Sequence, residues 1–257
     1  MKEKNIGIFD SGVGGITVLK EIMRLLPGEN VLYYGDSINA PYGNKSPQDI
    51  QKLCLNILKF LVENNSKIIV IACNTATAVA LEILRENCNI PVVGIISSGA
   101  RAIVEIEEAK SIAIMATEVT VKSEVYLREI KKLKEEIDIF QLSCPLLVPE
   151  IEKNWKKSFK GEEILQEYIS KIPKETDTLV LGCTHFPIIK SSIKKYYRGR
   201  IIDPAKEIAW ELKNILTEND LLNGSGKKGN IKFYISGNKE NFKKVAKDYL
   251  EIEIEEY

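Results

Sequence analysis

Two stretches of the chain decide the fold, and they share one pattern. The first is Ile-Ile-Val-Ile-Ala-Cys-Asn-Thr at residues 68–75, and the second is Thr-Leu-Val-Leu-Gly-Cys-Thr-His at residues 178–185. Each is a short, unbroken apolar run that ends in a cysteine and small hydrogen-bonding residues, which is typical of a strand buried on both faces of a parallel sheet. Ligands bind beyond the carboxyl ends of such strands. The pattern therefore predicts that Cys73 and Cys183 face one site from two lobes.

The rest of the chain alternates between predicted strands and helices. A strand at residues 6–9 leads into a glycine-rich turn and a helix, and the pattern of residues 111–117 repeats that of this first strand and turn. This alternation predicts an α/β fold with two pseudo-symmetric lobes, each a doubly wound, flavodoxin-like parallel sheet, with the active site in the cleft between them. We expect a discontinuous first lobe, residues 1–97 plus 208–257, and a second lobe, residues 98–207.

Three local predictions depend on apolar spacing and on proline. They are a strand at residues 91–96, one charged helix over residues 119–135, and a helix that starts at Pro187. Near the end of the chain, a strand at residues 231–235 is predicted to pack back on the first lobe.

Composition excludes several classes of partner. Lys plus Arg and Asp plus Glu both total 36, so the formal net charge is +0, and we expect neither nucleic acid nor a membrane surface as a partner. No apolar run approaches the roughly 20 residues that span a bilayer. The first strand begins at Ile6, which leaves no room for a signal peptide. We therefore expect a cytoplasmic protein.

The cysteine count and the residues around Cys73 and Cys183 narrow the possible metal and cofactor chemistry further. Five scattered cysteines without a Cys-x-x-Cys pair indicate neither a disulfide framework nor a structural zinc site. No lysine lies in the motifs around the two cysteines, so nothing marks a Schiff base to pyridoxal phosphate. We expect no metal and no cofactor.

Two facing thiols suit the inversion of an amino acid's α-carbon. Inversion removes a proton from one face of the carbon and delivers another to the opposite face, and two thiols meet that need without moving the substrate. Both cysteines precede a predicted helix start, which should lower their pKa. Asp10 and Glu152 are candidate proton partners, and His185 is a candidate partner of Cys183. A turn or helix cap for Asp10 and a supporting hydrogen bond for His185 are about equally good interpretations.

Small polar residues near the two cysteines could hold the charges of a substrate. Each could instead be a helix cap, which is the commoner use of such side chains. The turn at residues 10–15 suits a small carboxylate better than a pyrophosphate, because Thr17 stands where the dinucleotide fingerprint needs glycine. The candidates that gather at the predicted strand ends are Ser11, Asn74, Thr75, Thr117, Thr120 and Thr184.

Several motifs, taken together, carry a family resemblance that runs nearly end to end. They are Phe9-Asp10-Ser11-Gly12-Val13-Gly14-Gly15, Tyr34-Gly35-Asp36-Ser37, Ala40-Pro41-Tyr42-Gly43, Ala72-Cys73-Asn74-Thr75-Ala76, Pro149-Glu150-Ile151-Glu152, Gly182-Cys183-Thr184-His185-Phe186-Pro187 and Ser236-Gly237-Asn238. In these motifs the chain resembles the glutamate racemases. The histidine after Thr184 resembles them more than the related aspartate racemases, which usually have an acidic residue there.

The resemblance implies a cofactor-independent isomerase that interconverts L- and D-glutamate and supplies D-glutamate for peptidoglycan. By analogy Cys73 acts on the D-enantiomer and Cys183 on the L-enantiomer, with Asp10, Glu152 and His185 assisting. The family also suggests a homodimer. The substrate contacts that the resemblance implies are Asp10, Ser11, Pro41, Tyr42, Gly43, Asn74, Thr75, Thr184 and His185. One departure lies at Ser97-Ser98-Gly99, where the family commonly has proline before the glycine.

Three other functions stay open at this point. A cysteine hydrolase or amidotransferase would use Cys183 as nucleophile and His185 as base, although it leaves Cys73 without a role. A binding protein for amino acids would also have two lobes and a cleft. A racemase for another acidic amino acid is the nearest rival.

Overall fold

The computed structural model describes residues 1–106, 109–155 and 158–250, and it contains two parallel sheets. Along the chain, the strands of the second sheet lie between the fourth and the last strand of the first sheet. The strands are β1 (Asn5–Asp10), β2 (Val31–Gly35), β3 (Ser66–Ile71), β4 (Val92–Gly94), β5 (Ser111–Ala116), β6 (Asp138–Ser143), β7 (Thr178–Gly182), β8 (Arg200–Ile202) and β9 (Ile231–Ile235).

Helices connect the strands and cover both sheets. Short 3₁₀ turns lie at Tyr42–Asn44 and Phe186–Ile189. The α-helices are α1 (Ile16–Leu25), α2 (Pro47–Glu63), α3 (Asn74–Glu86), α4 (Ile95–Val104), α5 (Glu118–Ser123), α6 (Val125–Leu133), α7 (Leu147–Asn154), α8 (Phe159–Ser170), α9 (Lys190–Tyr196), α10 (Pro204–Glu218) and α11 (Lys239–Leu250).

The strand order confirms the predicted pseudo-symmetric α/β fold. The first sheet runs β4-β3-β1-β2-β9, and the second sheet, read in the same direction, runs β8-β7-β5-β6. The second set repeats the first four strands, and all pairings are parallel. β9 pairs with β2 and adds a fifth strand to the first sheet. The residue boundaries of the two lobes stay a prediction.

The winding places the motifs at two equivalent points. In the first sheet the chain moves from β1 to β2 on one side and to β3 on the other, and β5, β6 and β7 repeat this arrangement. The carboxyl ends of β1 and β3, and of β5 and β7, are therefore the points where an open α/β sheet binds ligands. Asp10 ends β1, and Cys73 and Cys183 follow β3 and β7.

Three apolar clusters hold the molecule together. One is built on α2 and α3 against the first sheet, and another on α7, α8 and α9 against the second. The third and largest cluster, here called the central cluster, lies between the sheets and joins both halves through α1, α4, α6 and α10. Leu19, Ile103 and Leu212 are fully buried in it.

Three local predictions are wrong in part. β4 ends at Gly94, and Ile95 begins α4, because Ile96, Ala100 and Ile103 recur at helical spacing and bury themselves in the central cluster. The single helix over residues 119–135 is two helices, broken at Glu124, whose φ of 54° is left-handed. The helix at Pro187 begins as a 3₁₀ turn before α9.

Across residues 1–106, 109–155 and 158–250, no helix is both long enough and apolar enough to cross a membrane.

Candidate active site

Asp10 anchors the first half of the site at the end of β1. It is fully buried, and its Oδ1 accepts a hydrogen bond of 2.9 Å from the Gly12 N–H. Its Oδ2 accepts one of 3.1 Å from the Thr184 hydroxyl, which belongs to the other half of the chain. Burial raises the pKa of Asp10, while the positive charge of His185 and these hydrogen bonds act in the opposite direction. The carboxyl group therefore joins the two halves.

Cys73 caps the amino end of α3. Its Sγ accepts a hydrogen bond of 3.4 Å from the Ala76 N–H, and the thiol donates to Ser11 Oγ at 3.6 Å. Burial, followed by the negative charge of Asp10, raises the pKa of Cys73 to about 12, although the contacts with Ala76 and Ser11 oppose the rise. The expected lowering of this pKa by the helix start is wrong, because desolvation outweighs the dipole. Cys73 is a protonated thiol in the unliganded protein.

Cys183 has different neighbours at the end of β7. Its Sγ lies 3.8 Å from His185 Nδ1, and His185 Nε2 lies 2.8 Å from Glu152 Oε1 on α7. Burial lowers the pKa of His185, but its hydrogen bonds and charge interactions with Cys183 and Glu152 outweigh this and hold it well above its usual value. Burial raises the pKa of Glu152, but the hydrogen bond and charge of His185 outweigh that and keep it low. The imidazole is therefore cationic and the carboxylate anionic.

The turn between β1 and α1 lies against the loop that carries Cys183. Negative charge on Cys183 is among the causes that raise the pKa of Cys73, so the two sulfurs interact electrostatically. A Cβ on Gly14 would collide with Thr184 and His185, so glycine permits the close approach of the two halves. The Thr17 hydroxyl lies 3.1 Å from the Thr184 carbonyl oxygen across the same boundary.

Three threonine hydroxyls form a cluster across the boundary. Thr75 Oγ1 lies 2.8 Å from Thr117 Oγ1, which lies 3.0 Å from Thr120 Oγ1, and the third side of the triangle is 3.4 Å. All three residues are buried. Gly43 packs against Thr117, since an added Cβ would lie 3.0 Å from the threonine Cβ. The cluster can supply several O–H donors to a carboxylate.

The loop after β2 carries Pro41, Tyr42 and Gly43, and it reaches the threonine cluster through Gly43. Pro41 is exposed and follows a cis peptide bond, whereas Tyr42 and Gly43 are buried. The Tyr42 hydroxyl donates to Asp36 Oδ2 at 2.6 Å, and Ser236, just past β9, donates to Asp36 Oδ1 at 2.8 Å. The phenol of Tyr42 is thus bound within the protein, and the added strand supports the loop.

The geometry therefore gathers the sequence-predicted residues where the two halves meet but gives Tyr42 an internal partner. Glu150 in the same motif as Glu152 points elsewhere, to Lys153 and Ser158. Sequence reasoning missed three supporting residues, Thr17, Asp36 and Tyr126. Asp36 lies within a quoted motif, but nothing in the local sequence marks Thr17 or Tyr126.

In chemical terms the site offers two thiols, one from each half, together with hydroxyl and amide donors near them. Within the described ranges, the structure contains no group of three or more His, Cys, Asp or Glu side chains that could hold a metal ion.

Comparison with known proteins identifies the relatives of this arrangement. The family model described as Asp/Glu/Hydantoin racemase matches residues 6–212. The chain is 42% identical to the glutamate racemase of Fusobacterium nucleatum over 257 residues, covering 100% of this chain and 97% of that protein.

Solved structures agree with the sequence relatives. The glutamate racemase isoform RacE1 from Bacillus anthracis superposes with a TM-score of 0.94 at 34% identity, covering 99% of this chain and 96% of that one. The glutamate racemase from Francisella tularensis, solved in complex with D-glutamate, gives a TM-score of 0.92 at 35% identity, with the same coverages.

Proposed function

The chain belongs to the Asp/Glu/Hydantoin racemase family, and from this premise we propose that it is a glutamate racemase in which Cys73 and Cys183 transfer the protons. The enzyme interconverts L- and D-glutamate. The observation that carries the assignment of the thiols is their placement, one from each half at equivalent strand ends, each with its own hydrogen-bonding partners.

The surroundings of the thiols suggest how the reaction starts. A cationic His185 lies beside the sulfur of Cys183 and can pair with a negative charge there, whereas Cys73 holds its proton. In the L-to-D direction the Cys183 thiolate takes the α-proton as the Cα–H bond breaks. The Cys73 S–H bond then breaks and its proton forms the new Cα–H bond on the opposite face. In the D-to-L direction the roles reverse.

Other residues bind and polarise the substrate. The threonine cluster of Thr75, Thr117 and Thr120, together with Asn74, binds the α-carboxylate, where negative charge accumulates as the proton leaves. Asp10 lies between the halves and holds the α-ammonium group. The backbone of the Pro41–Gly43 loop, with Ser11 and Thr184, completes the contacts.

The proposal includes a setting in the cell. The product D-glutamate serves peptidoglycan synthesis, the role of this enzyme family. Five free cysteines suit the reducing cytoplasm, and the family resemblance favours a homodimer. Sedimentation equilibrium of the purified protein tests the dimer.

The decisive experiment follows exchange and inversion together. Pure protein is incubated with L- or D-glutamate in D₂O, with optical rotation and α-deuterium measured by NMR. We expect rotation to decay to zero from both sides with deuterium in the product. Cys73→Ala and Cys183→Ala should each lower kcat by at least about 10³-fold, whereas Cys88→Ala, at a partly exposed cysteine after α3, should not change it.

The other functions give different results. Response to aspartate but not glutamate would change the substrate. Ammonia release or a covalent adduct on Cys183 would favour a hydrolase. Binding without exchange, unchanged in both cysteine variants, would favour a binding protein and contradict the proposal.

A further inference from the structure

The side chain of Asn74 has one satisfied end and one unsatisfied end. Asn74 follows Cys73 directly, begins α3 and is 2% exposed. Its Oδ1 accepts a hydrogen bond of 2.7 Å from the hydroxyl of Tyr126. Among the described residues, its Nδ2 has no hydrogen-bond partner. Buried amide groups are rarely left unpaired, so these N–H groups mark the place of a ligand atom.

Tyr126 reaches Asn74 from the other half of the chain. It lies on α6, is fully buried in the central cluster, and packs near Gly99 of α4. Burial raises the pKa of Tyr126, and the negative charges of Asp203 and Cys183 raise it further. The phenol thus keeps its proton at any working pH and acts as a donor.

The hydrogen bond from Tyr126 sets which way the amide of Asn74 faces. The phenol donates to Oδ1 at 2.7 Å, so the Nδ2 group lies on the side of the amide away from Tyr126 and is left to meet an acceptor. We propose that Tyr126 is a positioning residue for the racemisation, which orients the Asn74 amide so that its N–H groups bind the α-carboxylate of the substrate. This inference rests on the proposed function.

The ligand group follows from the chemistry of the amide. Two N–H donors need an acceptor, which the α-ammonium group cannot provide and the α-carboxylate can. Thr75, the next residue along α3, supplies a hydroxyl of the threonine cluster to the same group. Because Tyr126 and Asn74 come from different halves, the donor is correctly oriented only when the halves are held in this arrangement.

The test compares two matched tyrosine variants. Tyr126→Phe removes the hydroxyl and keeps the ring. Tyr197→Phe is the control, because Tyr197 is also buried and donates to a backbone oxygen, that of Thr176 at 3.1 Å, beyond the opposite end of β7 from Cys183. We expect Tyr126→Phe to raise KM about 5- to 20-fold for both enantiomers, with kcat within about threefold. Tyr197→Phe should leave both constants unchanged.

A double-variant cycle separates positioning from general packing. In an Asn74→Ala background no acceptor remains, so Tyr126→Phe should change KM no further. A Tyr126→Phe effect that persists with Asn74→Ala, or a Tyr126→Phe variant that behaves like Tyr197→Phe, would overturn the inference. If the parent protein does not racemise glutamate in the same assay, the proposed function fails instead.

A second measurement does not depend on folding of the Tyr126 variant. The side-chain amide resonances of Asn74 in the parent protein are assigned by their loss in Asn74→Ala. We expect D-glutamate to shift them, and unchanged resonances at saturating ligand would contradict the inference.

Discussion

The two thiols occupy equivalent places in the fold, yet their charged neighbours have opposite signs. Cys73 lies beside the carboxyl group of Asp10 and is 4% exposed, so its charged form is disfavoured. Cys183 lies beside a cationic imidazole. At the scale of single residues, Cys73 therefore holds the proton that, under the proposed function, it donates to the substrate in the L-to-D direction.

Alkylation rates test this difference between the thiols. We expect iodoacetamide to modify Cys73 more slowly than Cys183 at pH 7 to 9, because burial and the charge of Asp10 keep Cys73 protonated and a protonated thiol does not react. With a pKa of about 12, Cys73 should react about tenfold faster per pH unit up to pH 10 without reaching a plateau. Peptide mapping by mass spectrometry measures each rate, and Cys88 is the internal reference. A plateau for Cys73 near pH 8.5 would contradict the assignment.

Glu152→Gln tests the pair that keeps His185 charged. Without the carboxylate the pKa of His185 falls, so the imidazolium is lost at lower pH. We expect the alkaline limb of kcat/KM for L-glutamate to move down by about one pH unit or more.

The same pair also sets a stability window. A raised His185 pKa stabilises the fold fully below the unfolded value of about 6.5, and this contribution disappears as pH rises through the folded pKa. The lowered Glu152 pKa stabilises above about 4.3, and its contribution disappears as pH falls through the folded pKa. Urea unfolding should show the largest deficit of Glu152→Gln between these values. Glu150→Gln, on the same helix but paired with Lys153, should show no change in deficit above pH 6.5.

At the scale of elements, the sequence predicts the strands that carry chemistry better than the connections between them. β3 and β7 are short apolar runs followed by polar residues, and both form as predicted. The start of α4 could not be predicted from Ile95 and Ile96, because β-branched residues suit a strand locally and only the central cluster turns them into a helix. The start of α3 at Asn74 follows directly on the cysteine, since Cys73 itself is the cap.

A buried ion pair links elements far apart in sequence. Lys67 Nζ on β3 lies 2.5 Å from Glu29 Oε2, and both side chains are almost fully buried. The ammonium also donates to the carbonyl oxygens of Lys2 and Leu221, at 2.6 and 2.8 Å. The pair thus fixes the amino-terminal segment and the segment after α10 to the first sheet.

Removing one partner of this pair should be costly. Glu29→Gln leaves the Lys67 ammonium buried without a counter-charge, so we expect the free energy of unfolding to fall by about 3–5 kcal/mol. Glu129→Gln is the control, because its pair with Lys132 is exposed and should be worth about 0–1 kcal/mol. Urea denaturation of both variants measures the difference, and equal losses would show that the buried pair has no special role.

At the scale of the whole molecule, the parts that escape prediction are the contacts between the halves. The hydrogen bonds from Thr184 to Asp10 and from Tyr126 to Asn74 join residues 174 and 52 positions apart. Local spacing holds no information about such pairs. The direction of the Cys73 pKa shift could not be predicted from the local sequence for the same reason, since desolvation depends on the packing of distant parts of the chain.

The central cluster makes a specific prediction about unfolding. Because α10 packs on α1 of the first half and α4 of the crossover, and the largest cluster contains residues of both sheets, neither half has a complete core of its own. We expect one cooperative transition despite the two lobes.

The two tryptophans report on different regions, Trp155 beside the second-half cluster and Trp210 on α10. In Trp155→Phe and Trp210→Phe, the remaining fluorescence and the far-UV circular dichroism should give one urea midpoint. D-glutamate at 100 times its Kd should stabilise both reporters equally, by about 2.7 kcal/mol. Midpoints that separate, or a ligand shift confined to one reporter, would show that the halves unfold independently and that the central cluster does not couple them.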